Sequence, residues 1–245
     1  MSYNYLPLDR KWLNFQQVKN LLDFDQLVSI TFDAHERILK CREYLDKKVD
    51  GSDELFYGIN TGFGFLQNVK IDKTQIEQLQ YNLLKSHACG LGEEVPKDIV
   101  KLMLMLKIKS LIYGHSGVQI DTVKRLMEMY NNDVQPVIYT QGSLGASGDL
   151  APLSHLSLPL IGLGEVYYKD VKHKAEFVMN EMGWQPIQLK SKEGLALING
   201  TQFMSAYGMY CLKKSEQLLK MADLICALSF DAFDCIGEPL HQAIH

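Results

Sequence analysis

The chain has 245 residues, 47% of them hydrophobic and 22% charged, with a formal net charge of −4. That is the composition of a soluble globular protein long enough for one large core or two modest domains. The slight acidity gives no electrostatic basis for binding nucleic acid or an anionic membrane.

In chain order, the early Asp9-Arg10-Lys11 without an apolar stretch argues against a secretion signal. Leu55-Phe56-Tyr57 leads into Gly58, Gly62 and Gly64, a loop whose tyrosine, read alone, is a packing residue. Ile76, Leu79 and Leu83 fall at helical spacing over 75–84. His87 at the end of that pattern reads as a partner for the helix C-terminus. Pro96 and Asp98 open a helix through Val100, Leu104, Ile108 and Leu111. Its run from Val100 to Lys107 is the most apolar of the chain, and its lysines mark it as a buried helix, too short to span a membrane. A further helix runs from Asp121 through Leu126 and Tyr130 and breaks at Asn131-Asn132-Asp133. Residues 134–139 are β-branched and extended. Asp149 is placed to cap a helix with Pro152 in its first turn, and Pro159 ends or kinks it. Val166-Tyr167-Tyr168 suits a small hairpin before the lysine-rich 169–174. Asn199-Gly200 reads as a turn, and after Thr201 a long amphipathic helix is predicted with Leu212, Leu218, Leu219 and Leu224 inside.

Five cysteines, odd in number and without C-x-x-C spacing, fit reduced thiols in a cytoplasmic protein. His241 and His245 stand at i, i+4 but lack the glutamate of H-E-x-x-H and a third ligand, so no metal is expected.

The segment Gly142-Ser143-Leu144-Gly145-Ala146-Ser147-Gly148-Asp149-Leu150-Ala151-Pro152 carries the most chemistry. It lacks the lysine of a phosphate-cradling loop, the G-x-G-x-x-G spacing of a dinucleotide loop and the G-x-S-x-G of a nucleophile elbow. Either it is an ordinary glycine-serine loop entering a helix, or its backbone reacts. Gly148, free of a side chain, allows its amide nitrogen to fold back onto the Ala146 carbonyl carbon. Loss of water from the ring and from the Ser147 hydroxyl leaves an exocyclic methylene conjugated to a carbonyl. The helix N-terminus beside it favours developing negative charge.

Ala146-Ser147-Gly148 within this segment resembles the self-processing tripeptide of the aromatic amino acid ammonia-lyases. Tyr57-Gly58-Ile59-Asn60-Thr61-Gly62-Phe63-Gly64 is similar to that family's tyrosine loop, and Leu79 to His87 to its substrate-selecting helix. Leu195-Ala196-Leu197-Ile198-Asn199-Gly200-Thr201-Gln202 is similar to its asparagine motif. The four motifs stand in family order over most of residues 50–245.

The resemblance implies a mainly α fold of the ammonia-lyase/fumarase type. It would comprise an N-terminal active-site domain with small β elements (1–112) and the first part of a long central helical bundle (113–245). The implied cofactor is 4-methylidene-imidazol-5-one (MIO), formed in place from Ala146, Ser147 and Gly148, with Asp149 supporting the cyclisation and no metal. The implied roles are a β-proton base of lowered phenol pKa for Tyr57 and a hold on electrophile and carboxylate for Asn199. Ser86, His87 and Gly64 would bind substrate. Ser86-His87 is similar to the histidine-specific members, which points to deamination of L-histidine to trans-urocanate and ammonia. A tyrosine-specific lyase, an aminomutase and an inactive or structural relative are the alternatives. Family chains run to about twice this length, as a helical core beyond the usual domain limit does. Their active sites draw on three subunits of a homotetramer.

Overall fold

A computed structural model describes residues 5–23, 26–50, 54–144 and 148–244. The chain forms two compact units, Met1–Ala206 and Tyr207–His245.

The first unit begins with β1 (Leu6–Leu8), which pairs in parallel with β2 (Val28–Ile30), and α1 (Phe15–Asp23) lies on the connection. Next comes α2 (Phe32–Asp50), entered through Thr31, whose hydroxyl accepts the Ala34 amide at 3.3 Å. A glycine-rich turn region leads to α3 (Ile76–His87), then β3 (Leu91–Glu94) and α4 (Lys97–Leu111). Pro96 takes the N-cap of α4, and Asp98 lies in its first turn, where a carboxylate complements the helix dipole. Apolar side chains cover α4 on every side, and Ile99, Leu102, Met103, Leu104, Met105 and Ile108 are fully buried. A helix apolar all round belongs at the centre, and α4 is the spine of the core.

α5 (Ile120–Asn131) buries Val123, Leu126 and Tyr130 and ends where the asparagines predicted a break. The extended segment that follows divides into β4 (Gln135–Pro136) and β5 (Tyr139–Gln141). β5 pairs antiparallel with β3, Leu91 opposite Gln141. After α6 (Leu150–Ser157) and a 3-10 turn at Leu158–Ile161 come β6 (Glu165–Tyr168) and β7 (Val171–Lys174). These two close a hairpin through Lys169 and Asp170 at φ 51 and 62, the left-handed pair that a two-residue turn needs, and β4 joins as the third strand. α7 (Ala175–Met182) and the short α8 (Glu193–Ile198) follow. The mainly helical fold with small β elements agrees with the sequence reading. The point between residues 112 and 113 falls in the turn between α4 and α5, inside the first unit.

A long helix, α9 (Gln202–Ala232), starts in the first unit, and its greater part makes up the second, which closes with 3-10 turns at Glu238–Leu240 and Gln242–Ile244. The predicted helix is present, but Leu212, Leu218, Leu219 and Leu224, expected inside, are 55–65% exposed. A helix hides an apolar stripe only against another layer, and this unit, taken by itself, has none.

Candidate active site

The start of α6 and the end of α8 are bonded to each other. The Asp149 amide donates to the Gly200 carbonyl at 2.9 Å, and Gly148 rests on the same group. Gly148 adopts φ +84, and a Cβ there would lie 2.6 Å from the Gly200 oxygen. Any other residue would clash and be strained, so glycine is the residue that fits there. Leu144 and Gly148 form an antiparallel bridge. Ala146 and Ser147 themselves lie outside the described residues.

Asp149 occupies the N-cap position of α6, yet its side chain does not cap that helix. The fully buried carboxylate instead accepts the Phe203 and Met204 amides at 2.9 and 3.1 Å and the Ser143 hydroxyl at 2.7 Å. It caps α9 across the site, because α9 offers two unpaired amides in its first turn and α6 turns the carboxylate toward them. The capping residue predicted for one helix serves another.

Asn199 ends α8 in extended conformation. Its side-chain amide donates to the Leu195 carbonyl at 2.9 Å and its surface is open. Tyr57 is 54% exposed and meets Phe63 edge-on, ring centroids 6.0 Å apart. Asn60 builds its turn by accepting the Phe56 amide at 2.6 Å and donating to the Glu54 carbonyl at 2.7 Å. A Cβ on Gly58 would meet Leu195 of α8 at 3.0 Å, so the tyrosine loop packs against the asparagine motif. Gly64, at φ +56 and exposed, has open space around it.

His87 is the last residue of α3. Its Nδ1 donates to the Leu83 carbonyl at 2.9 Å, so that in the neutral ring Nε2 is the accepting nitrogen. The exposed Ser86 hydroxyl also donates to Leu83, at 3.1 Å. Residues from α6 hold this region. Ser154 donates to the Leu84 carbonyl, and His155 Nε2 accepts the Gly90 amide at 3.0 Å. Burial holds the His155 pKa below its ordinary value, in keeping with a ring nitrogen that accepts. Gly142 approaches Gly90 so closely that a Cβ would lie 3.1 Å from its Cα. Gln80 Oε1 accepts the Gly194 amide at 2.9 Å, tying α3 to α8. Elements bearing all four motifs are therefore packed together through α3, α6 and α8.

Two buried charges here were not singled out from sequence. Glu193, the first residue of α8, is fully buried and accepts bonds from Gln119, Thr122 and Lys190. Burial still raises its pKa above the ordinary carboxylate value, against those bonds and the charge of Arg42. Lys107, 1% exposed, donates to the carbonyls of Asn199 at 3.0 Å and Ala196 at 3.3 Å. Burial pushes its pKa down to about 7, with the Asp149 charge opposing. A lysine inside an otherwise apolar helical run was the available signal, and it reads locally only as a break in hydrophobicity. A surface groove of about 760 Å³ is lined by Gln119, Arg125, Gln185 and Lys190 among others and contains none of the motif residues. Among the described residues no trio of His, Cys, Asp or Glu is grouped to hold a metal ion, and no helix is long and apolar enough to cross a membrane.

A helical scaffold that sets a glycine-serine backbone loop against an asparagine turn, beneath a tyrosine loop, defines the class of protein. Residues 13–245 match the aromatic amino acid lyase family model, and the chain belongs to that family. It is 42% identical over 240 residues to the histidine ammonia-lyase of Staphylococcus saprophyticus, covering 98% of this chain and 48% of that protein. It is 46% identical over 225 residues to that of Deinococcus radiodurans, covering 92% and 43%. Among solved structures, the histidine ammonia-lyase of Trypanosoma cruzi superposes with TM-score 0.88 at 36% identity, over 98% of this chain and 47% of that one. The ergothioneine-degrading ergothionase of Treponema denticola superposes with TM-score 0.91 at 28% identity, over 98% and 48%. The chain thus spans about half the length of the relatives it matches.

Proposed function

We propose that this chain contributes the electrophile-bearing part of an enzyme that eliminates ammonia from L-histidine to give trans-urocanate. The observation that carries the reading is the seat of Gly148 and Asp149 on Gly200, which joins the segment that would cyclise to the turn that follows Asn199. The names of the relatives at 42% and 46% identity support histidine as the substrate. So does His87, whose accepting Nε2 suits the N–H of a substrate imidazole.

The residues present fit MIO: Gly148 is the only residue its site admits, and Ala146 and Ser147 precede it in the required order. When formed, MIO supplies an electrophilic carbon that makes the substrate's amine a competent leaving group. Tyr57 takes the β-proton, and its exposure suits a loop that closes over substrate and excludes water. Asn199, its amide steered by the Leu195 carbonyl, offers a donor to the substrate carboxylate and to negative charge as it develops. Asp149 holds the backbone beside Gly148 for ring closure. Ser86 and Gly64 border the space for substrate. The working form is a homotetramer in the cytoplasm, the latter supported by five cysteines with no disulfide spacing.

Intact-mass measurement of the purified chain tests the reading. A deficit of two waters, abolished by Ser147→Ala, is expected. In the assembled enzyme, ammonia release from L-histidine should exceed that from L-tyrosine, and recovery of the nitrogen as a β-amino acid with no net release of ammonia would indicate a mutase. An unmodified mass in the folded chain overturns the reading.

A further inference from the structure

Lys107 projects from the central helix α4, and its amino group donates, among the described residues, to the Ala196 and Asn199 carbonyls. These groups lie at the C-terminal end of α8, where a lysine is an ordinary partner for unpaired carbonyls. An ordinary cap, however, sits at the surface, where water or any exposed lysine serves at no desolvation cost. Lys107 is instead buried to 1% exposure, on a helix where Met103, Leu104, Ile108 and Leu111 around it are equally buried. A charge kept in such a place needs a reason beyond completing one short helix.

The reason lies one residue further along the chain. Asn199, whose carbonyl Lys107 grips, precedes Gly200, whose carbonyl receives the Asp149 amide and presses on Gly148. The Asp149 carboxylate then reaches over to the first turn of α9 at Phe203 and Met204. Lys107, Asn199, Gly200 and Asp149 so form one chain of contacts from the core to the backbone beside the reactive segment. The Asn199 side chain, aimed by its bond to Leu195, sits on the same peptide that Lys107 holds from below.

We propose that Lys107 is a positioning residue for the electrophile, holding the Asn199–Gly200 segment where Gly148 must rest on it for ring closure and where Asn199 must aim its amide. The proposal rests on the reading of Ala146-Ser147-Gly148 given above. The Asp149 charge, which favours the ammonium form against burial, supports it.

Lys107→Met keeps the length and apolar stem of the side chain and removes the donors, and Lys107→Arg restores donors. In the full chain, intact mass is followed over time after synthesis, and amide exchange is read at Asp149, with the melting temperature as a check on folding. The expected result is a folded Lys107→Met chain that loses its two waters about 10- to 100-fold more slowly than the parent, the scale of a small misplacement of reacting groups. Its Asp149 amide should exchange faster, and Lys107→Arg should recover part of the maturation rate. Maturation of folded Lys107→Met at the parental rate overturns the proposal. If the parent chain itself keeps an unmodified mass, the lyase reading fails, and Asp149 exchange alone decides the role of Lys107. Faster exchange in Lys107→Met then upholds the hold on Gly200, and equal exchange overturns it.

Discussion

The two ends of α8 are anchored by buried charges of opposite sign, and they are anchored differently. At the N-terminus, both Glu193 oxygens are engaged, at 2.7–2.9 Å, by the backbone and side chain of Gln119, the Thr122 hydroxyl and the Lys190 amide. At the C-terminus, Lys107 engages two carbonyls among the described residues, at 3.0 and 3.3 Å. Through Glu193 the saturated end is tied to α5 and to the loop before α8, and none of the Glu193 partners among the described residues belongs to a motif. The sparser end leads straight into Asn199 and Gly200. A fully satisfied network rigidifies a fold, and the end of α8 that adjoins Asn199 and Gly200 is the one held by fewer bonds among the described residues.

Glu193→Ala breaks the comparison at its stronger end. It strands several donors in the core and should cost about 3–5 kcal/mol in denaturant unfolding, the range for breaking a buried charged cluster. Asp149→Ala comes next, at about 2–3 kcal/mol for three lost bonds to a carboxylate. Asp149→Asn should cost less than half of that, because its amide oxygen can still accept from α9 while the Ser143 hydroxyl turns to accept from its NH₂. Equal losses for the two variants would show that charge, and not hydrogen bonding, is what the site requires.

The sparser end has a signature in pH. Folding lowers the Lys107 pKa from 10.5 to about 7, so between these values the unfolded chain holds a proton that the folded chain has shed. Stability from this group therefore rises with pH across that window, by at most ~1.4 kcal/mol per unit, and is flat below about pH 7. Unfolding of the parent and of Lys107→Met, compared from pH 7 to 10, should show the parent gaining on the variant. Parallel curves would mean that Lys107 keeps its proton in the fold. The smallest stability effect belongs to Tyr57→Phe. At an exposed position that keeps its edge contact with Phe63, it should change stability by no more than about 0.5 kcal/mol, while the proposed function requires it to abolish turnover.

Much of this protein is legible one residue at a time. The helical spacing of Ile76 and Leu83, the asparagine break after Tyr130 and the hairpin beyond Tyr168 follow from rules that act within a few residues, and the structure has each of them. The Ala146-Ser147-Gly148 segment stands out for the same reason, since its resemblance to a self-processing tripeptide is carried by three adjacent residues. Tertiary packing decided the rest. Asp149 was legible as a cap, but its partners lie 54 and 55 residues away on α9. The apolar stripe on α9 was legible, but not that the second unit by itself leaves it open. Lys107 finds its acceptor 92 residues further along the chain. Periodicity and turn chemistry tell which face of an element is apolar and where the chain bends. Which buried donor meets which acceptor depends on how distant elements pack, and that is settled only when the core closes.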